Sequence, residues 1–391
     1  MIATRRKRVL FVQPSLQPPG GGNGVAAWMI AALAGECDLD LLHWTAVDLD
    51  EVNRHYGTDL RAGDFRTLSV NPTLRGLLDL VPQPLALVKM SLLLRRCKQI
   101  GARYDCIVTA NNEADFGRRG IQYVHYPWLQ LPRPRDDLRW YHFGALLKAY
   151  YAGCARISDL SFERMRANLT LVNSNWTGAN VRRVHGIPTV TLPPPVIADF
   201  PPVGWEEREN GFVCVGRISH EKEIDKMIDI VAALRASGCD AHLHIIGATG
   251  ATGPFLRRIR ARVREHAWLF LEENLPREEV LHLIARHRYG IHGMLQEHFG
   301  MAVMEMVLGG CIPFVPNDGG QVEIIGEAPL LRYDSPADAV DKMARVWGDP
   351  NLQQQLRAQL AERRDAVGSH RFVERFREVV RTFDPGLTTE G

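Results

Sequence analysis

"YGIHGMLQEHFGMAVMEMVLGGCIPFVP", running from Tyr289 to Pro316, contains an apolar run, a glycine-bearing turn, a helix-like stretch and a second apolar run. "YGIHGM" and "CIPFVP" have the length and composition of buried strands, and "MAVMEMVL" between them suits a helix starting near Gly300. The same alternation recurs at "RVLFVQ", "YDCIVTA", "IQYVHY" and "LTLVNS", then at "GFVCVG" and "AHLHIIG", each followed by a longer segment of helical period. Strands alternating with covering helices predict an α/β architecture built on parallel sheets. In such sheets ligands bind beyond the carboxyl ends of the strands, so the residues just after each run are the first to inspect.

At 391 residues the chain is long for one core and natural for two. The serial prolines of "TLPPPVIADFPPVGWEERENG", Thr191 to Gly211, cannot continue a helix or a central strand and mark the boundary. The expected division is 1–195, 196–367, and a C-terminal helix within 368–391 that packs back on the first domain and ends in a frayed tail. Two Rossmann-like domains are expected to face each other across a central cleft. A net charge of +2 gives no global attraction to nucleic acid, and none is expected as a partner. Seven scattered cysteines form neither a metal knuckle nor a disulfide framework, which favours a reducing, cytoplasmic setting. "VLFV" near the N-terminus stops at Gln13 and Pro14, too soon for a signal peptide, and no stretch reaches the roughly 18 apolar residues of a membrane span.

Three stretches carry candidate chemistry. After the first strand, Gly20, Gly21 and Gly22 precede a helix starting near Val25; glycine allows close backbone approach and a helix N-terminus offers unpaired N–H groups, so this turn suits phosphate. The plain alternative is a tight strand-to-helix turn. In "VGRISHEKEIDKMI", Arg217 and Lys222 follow a strand and precede a helix expected around Glu223; a guanidinium fork and an ammonium there can offset a diphosphate and stabilise it as a leaving group. In "EHFGMAVME", Glu297 stands at the mouth of a helix and Glu305 one turn inside it, and carboxylates are strong acceptors for sugar hydroxyls. Otherwise Glu297 is a cap and Glu305 a solvated helix residue.

Together these motifs resemble the retaining nucleotide-sugar glycosyltransferases of family four, which have the two-domain GT-B fold. The resemblance rests on Glu297, Phe299-Gly300 and Glu305, followed by "CIPFVP" and Gly319-Gly320 with Glu323, and on the "GRxxxxK" element of Arg217 and Lys222. It extends through "YVHYPW", "VNSNWT" and the glycines near Gly21. It implies that Arg217 and Lys222 bind the donor diphosphate, that Glu305 holds the ribose, and that Glu297 faces the transferred sugar beside the backbone N–H groups of Phe299, Gly300 and Met301. By the same resemblance the turn Gly20–Gly22 contacts phosphate when the cleft closes, and His125 contacts the sugar near the reaction centre. Gly247 and Leu275 are expected near the nucleobase.

Within the family the wording is most similar to the branch of the dolichol-oligosaccharide mannosyltransferase that uses GDP-mannose. The expected activity is hexosyl transfer, with mannose from GDP-mannose as the leading donor and a glycan or lipid-linked acceptor, in bacterial surface-glycan or glycolipid assembly. Alternatives are a UDP-sugar donor, or a nucleotide-sugar hydrolase or epimerase of the same fold. No side chain in these motifs is an obvious nucleophile, which favours front-face attack with the departing diphosphate taking the acceptor proton; double displacement through a carboxylate is the alternative. His282, His287, His292 and His298 form no convincing ligand set in the sequence, so no metal and no cofactor is expected. "VPQPLALVKMSLLLRRCK" and "LRWYHFGALLKAYYAGCARI" mix basic and apolar residues and suit an acceptor region with peripheral contact to an anionic membrane, or an ordinary core with solvated charges.

Overall fold

The computed structural model describes residues 5–17, 20–81, 85–127, 129, 144–249, 253–364 and 368–386. The first four residues, residues 82–84 and 138–143 of the two basic-apolar stretches, and the tail 387–391 lie outside the described residues. The chain divides into two compact units, the first comprising 1–195 with 369–391 and the second 196–368.

The first unit is a seven-stranded sheet formed from β1 (Arg8–Val12), β2 (Asp38–Leu42), β3 (Arg66–Leu68), β4 (Cys106–Thr109), β5 (Ile121–Val124), β6 (Leu169–Val172) and β7 (Val190–Thr191), in the order β3-β2-β1-β4-β5-β6-β7. Every ladder is parallel. Val9 to Val12 are wholly buried, as expected of a strand with helices on both faces. The helix Ser369–Thr382 belongs here because Phe372, Phe376 and Val380 recur every four residues along one face and join the core beside the helix Gly21–Leu33. Lys7 fastens its end by donating to the carbonyls of Val380 and Arg381, both at 2.9 Å.

The second unit repeats the plan with β8 (Glu209–Val215), β9 (His242–Gly247), β10 (Leu269–Glu273), β11 (His287–Ile291), β12 (Ile312–Pro316) and β13 (Arg332–Tyr333), ordered β10-β9-β8-β11-β12-β13. All of its ladders are parallel too. In both units the strand order reverses beside the first strand, which opens a crevice at the carboxyl ends where helices depart to opposite faces.

Candidate active site

In the second unit the loops after β8 and β11 meet. Gly216 leaves β8 with φ 154°, and a Cβ on Gly247, at the end of β9, would fall 1.7 Å from the Gly216 carbonyl. Gly247 therefore lets the Arg217 loop lie flat on the neighbouring strand end, where Ile218 N–H donates to Ala248 O at 3.0 Å. The chain then makes a single tight turn, His220–Lys222, and Glu223 takes a left-handed conformation before the helix Ile224–Ala236 begins. The helix starts where expected, around Glu223, after a sharp turn that directs Lys222 toward Glu297.

Lys222 Nζ donates to Glu297 Oε2 at 2.5 Å, and the two side chains are only 18% and 16% exposed. His292, just beyond β11, places Nε2 3.2 Å from the same carboxylate oxygen, without the alignment of a hydrogen bond. Burial pushes the Glu297 carboxyl up, but His292 and Lys222 outweigh it and hold the group well below the usual carboxylate range. Arg217, by contrast, extends into solvent and pairs with Glu221 at 3.2 Å. Expected as two joint phosphate ligands, the cations are each committed to a glutamate in this state, and only Lys222 is near Glu297.

Behind this pair, Gly300 at φ 102° caps the helix Met301–Leu308. Its first rung is Met304 N–H to Gly300 O, leaving the N–H groups of Met301, Ala302 and Val303 outside the helical ladder. The turn of Gly319 and Gly320 is built around this segment. A Cβ on Gly319 would come 2.6 Å from Glu297 O and one on Gly320 2.2 Å from His298 O, while Gly320 N–H donates to Glu297 O at 2.7 Å. The buried Gln321 amide then ties the turn to Met294 O and Asp318 O. These contacts give the spacing of the two motifs a physical reason: the second holds the backbone of the first.

Glu305 lies one turn inside the helix and forms an ion pair with Arg277, whose Nη2 is 2.6 Å from a Glu305 carboxylate oxygen. Leu275 borders a different cavity of about 260 Å³ with Glu279, His282 and Arg286, and shares no lining residue with the Lys222–Glu297 pair. His292 and Arg277 were not singled out as site residues by the sequence. A strand-end position marks His292, whereas nothing local marks Arg277, whose partner comes from a distant segment.

The first unit has its own site at its carboxyl edge. The helix Gly21–Leu33 starts at the glycine run, with its first rung from Gly24 N–H to Gly20 O. A Cβ on Gly22 would sit 3.3 Å from His125 Nε2, so the ring packs directly on the turn. Ala110 O accepts from His125 Nε2 at 3.0 Å, which fixes the ring's tautomer, and Asn112 and Asn173 hold its backbone. Tyr56 Oη accepts from Gly20 N–H at 3.0 Å. In the same unit, the helices Ala86–Ile100 and Gly144–Ser158 border a mainly apolar cavity of about 500 Å³ with Met90, Leu94, Leu129, Tyr151 and Phe162 in its lining.

A cavity of about 910 Å³ lies at the opposite, amino edge of the second sheet among Arg208, Arg288 and Trp347, and Lys222, Glu297 and Glu305 are not in its lining. Among the described residues no helix is long and apolar enough to cross a membrane.

Residues 197–363 match the family model of the glycosyl transferases group 1. The chain is 23% identical over 247 residues to the GDP-Man:Man(3)GlcNAc(2)-PP-Dol alpha-1,2-mannosyltransferase of Neurospora crassa, covering 53% of this chain and 44% of that protein. The human enzyme of the same name is 25% identical over 202 residues, covering 46% and 41%. The matched region thus spans less than half the length of these relatives. Among solved structures, WaaG, a glycosyltransferase involved in lipopolysaccharide biosynthesis, superposes with a TM-score of 0.67 at 14% identity over 96% of this chain and 100% of that one. HepE from Anabaena, in complex with UDP and glucose, gives 0.64 at 13% identity over 96% and 100%. These structures are GT-B glycosyltransferases, and the fold of this chain is GT-B.

Proposed function

With residues 197–363 forming a glycosyl transferases group 1 domain on a GT-B fold, we propose that the chain is a retaining, metal-independent hexosyltransferase that moves mannose from GDP-mannose to a glycan or lipid-linked acceptor. One observation carries the reading: a buried ammonium and carboxylate, Lys222 and Glu297, are paired at strand ends beside the N-terminus of the helix Met301–Leu308. A diphosphate entering there competes with Glu297 for Lys222. The ammonium, with Arg217 and the helix N–H groups, then stabilises the negative charge that grows on the leaving phosphate. Glu297, released from Lys222, becomes an acceptor for hydroxyls of the transferred hexose. Glu305 takes the ribose if Arg277 swings aside, and Gly247 and Leu275 border the base.

In the first unit the glycine turn and His125 serve the phosphate and the sugar. With no nucleophilic side chain assigned at the reacting carbon, the acceptor attacks from the face the diphosphate leaves, and its proton passes to the departing phosphate oxygen. The apolar cavity between the helices Ala86–Ile100 and Gly144–Ser158 suits a lipid-linked acceptor, and Leu77 and Leu80, 62% and 80% exposed, suit contact with the inner face of the cytoplasmic membrane.

The experiment is slow donor turnover followed by proton NMR. Release of hexose first as the α-anomer in slow turnover of GDP-mannose without acceptor, and faster donor consumption with the hexose bonded to acceptor when a competent acceptor preparation is added, are the expected results. Release of the β-anomer first would overturn retention. Rapid stoichiometric hydrolysis or isomerisation without acceptor would favour the hydrolase or epimerase reading, and turnover of UDP-sugars alone would replace the donor.

A further inference from the structure

At the amino edge of the second sheet, opposite the strand ends that carry Lys222 and Glu297, three histidines converge. His242 and His244 are two residues apart on β9 and so share a face, and His287 opens β11. β8 runs between those strands, with Gly211 in register with His242 and Glu209 in register with His287. Two strand spacings would keep His242 and His287 apart if β8 presented a side chain between them. At Gly211 it presents none: a Cβ there would fall 2.1 Å from His242 Nε2, so the ring occupies the space above the glycine and brings its Nε2 to 3.0 Å from His287 Nε2. One ring nitrogen from each of His242, His244 and His287 lies within 4.8 Å of the others, the one such group of three among the described residues.

The neighbours orient these rings for a shared ligand. Leu283 O accepts from His287 Nδ1 at 2.6 Å, which puts the proton there and turns the Nε2 lone pair inward. A carboxylate oxygen of Glu272 lies 3.0 Å from His244 Nδ1 and fixes the same tautomer there, leaving the Nε2 lone pair for a ligand. Arg286 holds one oxygen of Glu209, and the other stands 3.4 Å from His242 Nε2 and 3.9 Å from His287 Nε2. In a tetrahedral site with metal–nitrogen bonds of about 2.0–2.1 Å, ligand atoms are about 3.3 Å apart, and these separations bracket that value. Imidazoles backed by a carbonyl and a carboxylate are how metal-binding histidines are usually held. His244 and His242 remain 13% and 23% exposed in a cavity of about 370 Å³ bordered by Asp240, Trp268 and Phe270, so an ion has a route in.

We propose that His242, His244 and His287, with Glu209 as fourth ligand, form a structural site for one first-row divalent cation of the zinc class, tying β8, β9 and β11 together at the sheet edge remote from the donor residues. Binding costs the Nε2 proton of His242, which is released or moves to Nδ1, and breaks no other bond. The site is independent of the proposed transfer chemistry, which uses the other end of the sheet and needs no metal.

Cobalt(II) titrated into untagged, chelator-treated full-length protein tests this, with visible absorption and thermal melting as readouts. Expected are one ion per chain, ligand-field bands of tetrahedral intensity that zinc(II) abolishes, and a raised melting temperature. His242→Ala and His244→Ala, both at the accessible rim, should each weaken binding by about 10–100-fold or more, whereas Lys222→Ala should leave it unchanged. No bands and no melting shift in the wild type would overturn the proposal, as would undiminished binding in the His242→Ala/His244→Ala double variant.

Discussion

The Lys222–Glu297 pair has a measurable cost and a measurable pH dependence. Both groups are largely withdrawn from water, so removing either leaves the other short of a counter-charge; Glu297→Gln is expected to lose about 1–3 kcal/mol at neutral pH, read by denaturant unfolding. The folded-state pKa of Glu297 is depressed, so its contribution is fully present above its ordinary value of 4.5 and is lost as pH falls below that value. The stability gap between wild type and Glu297→Gln should therefore close on acidification, and a gap that widens would mean that the carboxylate is not the stabilised form. Lys222→Ala should lower the donor kcat/KM by about 100–1000-fold, the scale of losing one transition-state charge partner. Glu297, Lys222 and Glu305 were legible in the sequence because the motif spacing points to them. His292 was visible only as a strand-end residue, and the Arg277–Glu305 pair depends on tertiary packing, which no local pattern encodes.

At the scale of elements, the helix Met301–Leu308 is held in place by backbone contact with the glycine turn that follows β12. A methyl group at Gly320 must displace the His298 carbonyl, so Gly320→Ala is expected to cost about 1–3 kcal/mol and to weaken donor binding without altering any charged residue. Calorimetric unfolding with and without donor checks both effects, and unchanged donor affinity would separate the turn from the site. The alternating runs revealed β1, β4, β5, β6, β8, β9, β11 and β12, which are the buried, hydrophobic strands nearest the site. They missed β2, whose "DLDLL" alternates acid and leucine, and β10, whose "LFLEE" ends in two charges. β3, β7 and β13 are two or three residues long at sheet edges, too short to carry a period. The histidine cluster escaped for a similar reason: His242 and His244 are far from His287 in the chain, and only the parallel register across Gly211 brings them together.

For the molecule as a whole, the chain enters the second unit at Val196 and returns to the first at Ser369, so the last helix reports on a unit remote from it in sequence. Phe376→Ala, at a fully buried position, should cost the first unit about 3–5 kcal/mol while leaving donor-induced stabilisation of the second intact, a separation that proteolysis of each unit can follow. The central claim is that the second unit binds a nucleotide sugar through Lys222, and the most direct measurement is the thermal shift produced by GDP-mannose, UDP-glucose, UDP-N-acetylglucosamine, GDP and UDP on wild type and Lys222→Ala, each read against its own ligand-free melt. At a donor concentration of about 100 times Kd the wild type should gain about 5–10 °C with the guanine ligands, and the variant should gain little. No shift with any of the five, or an equal shift in the variant, would contradict it.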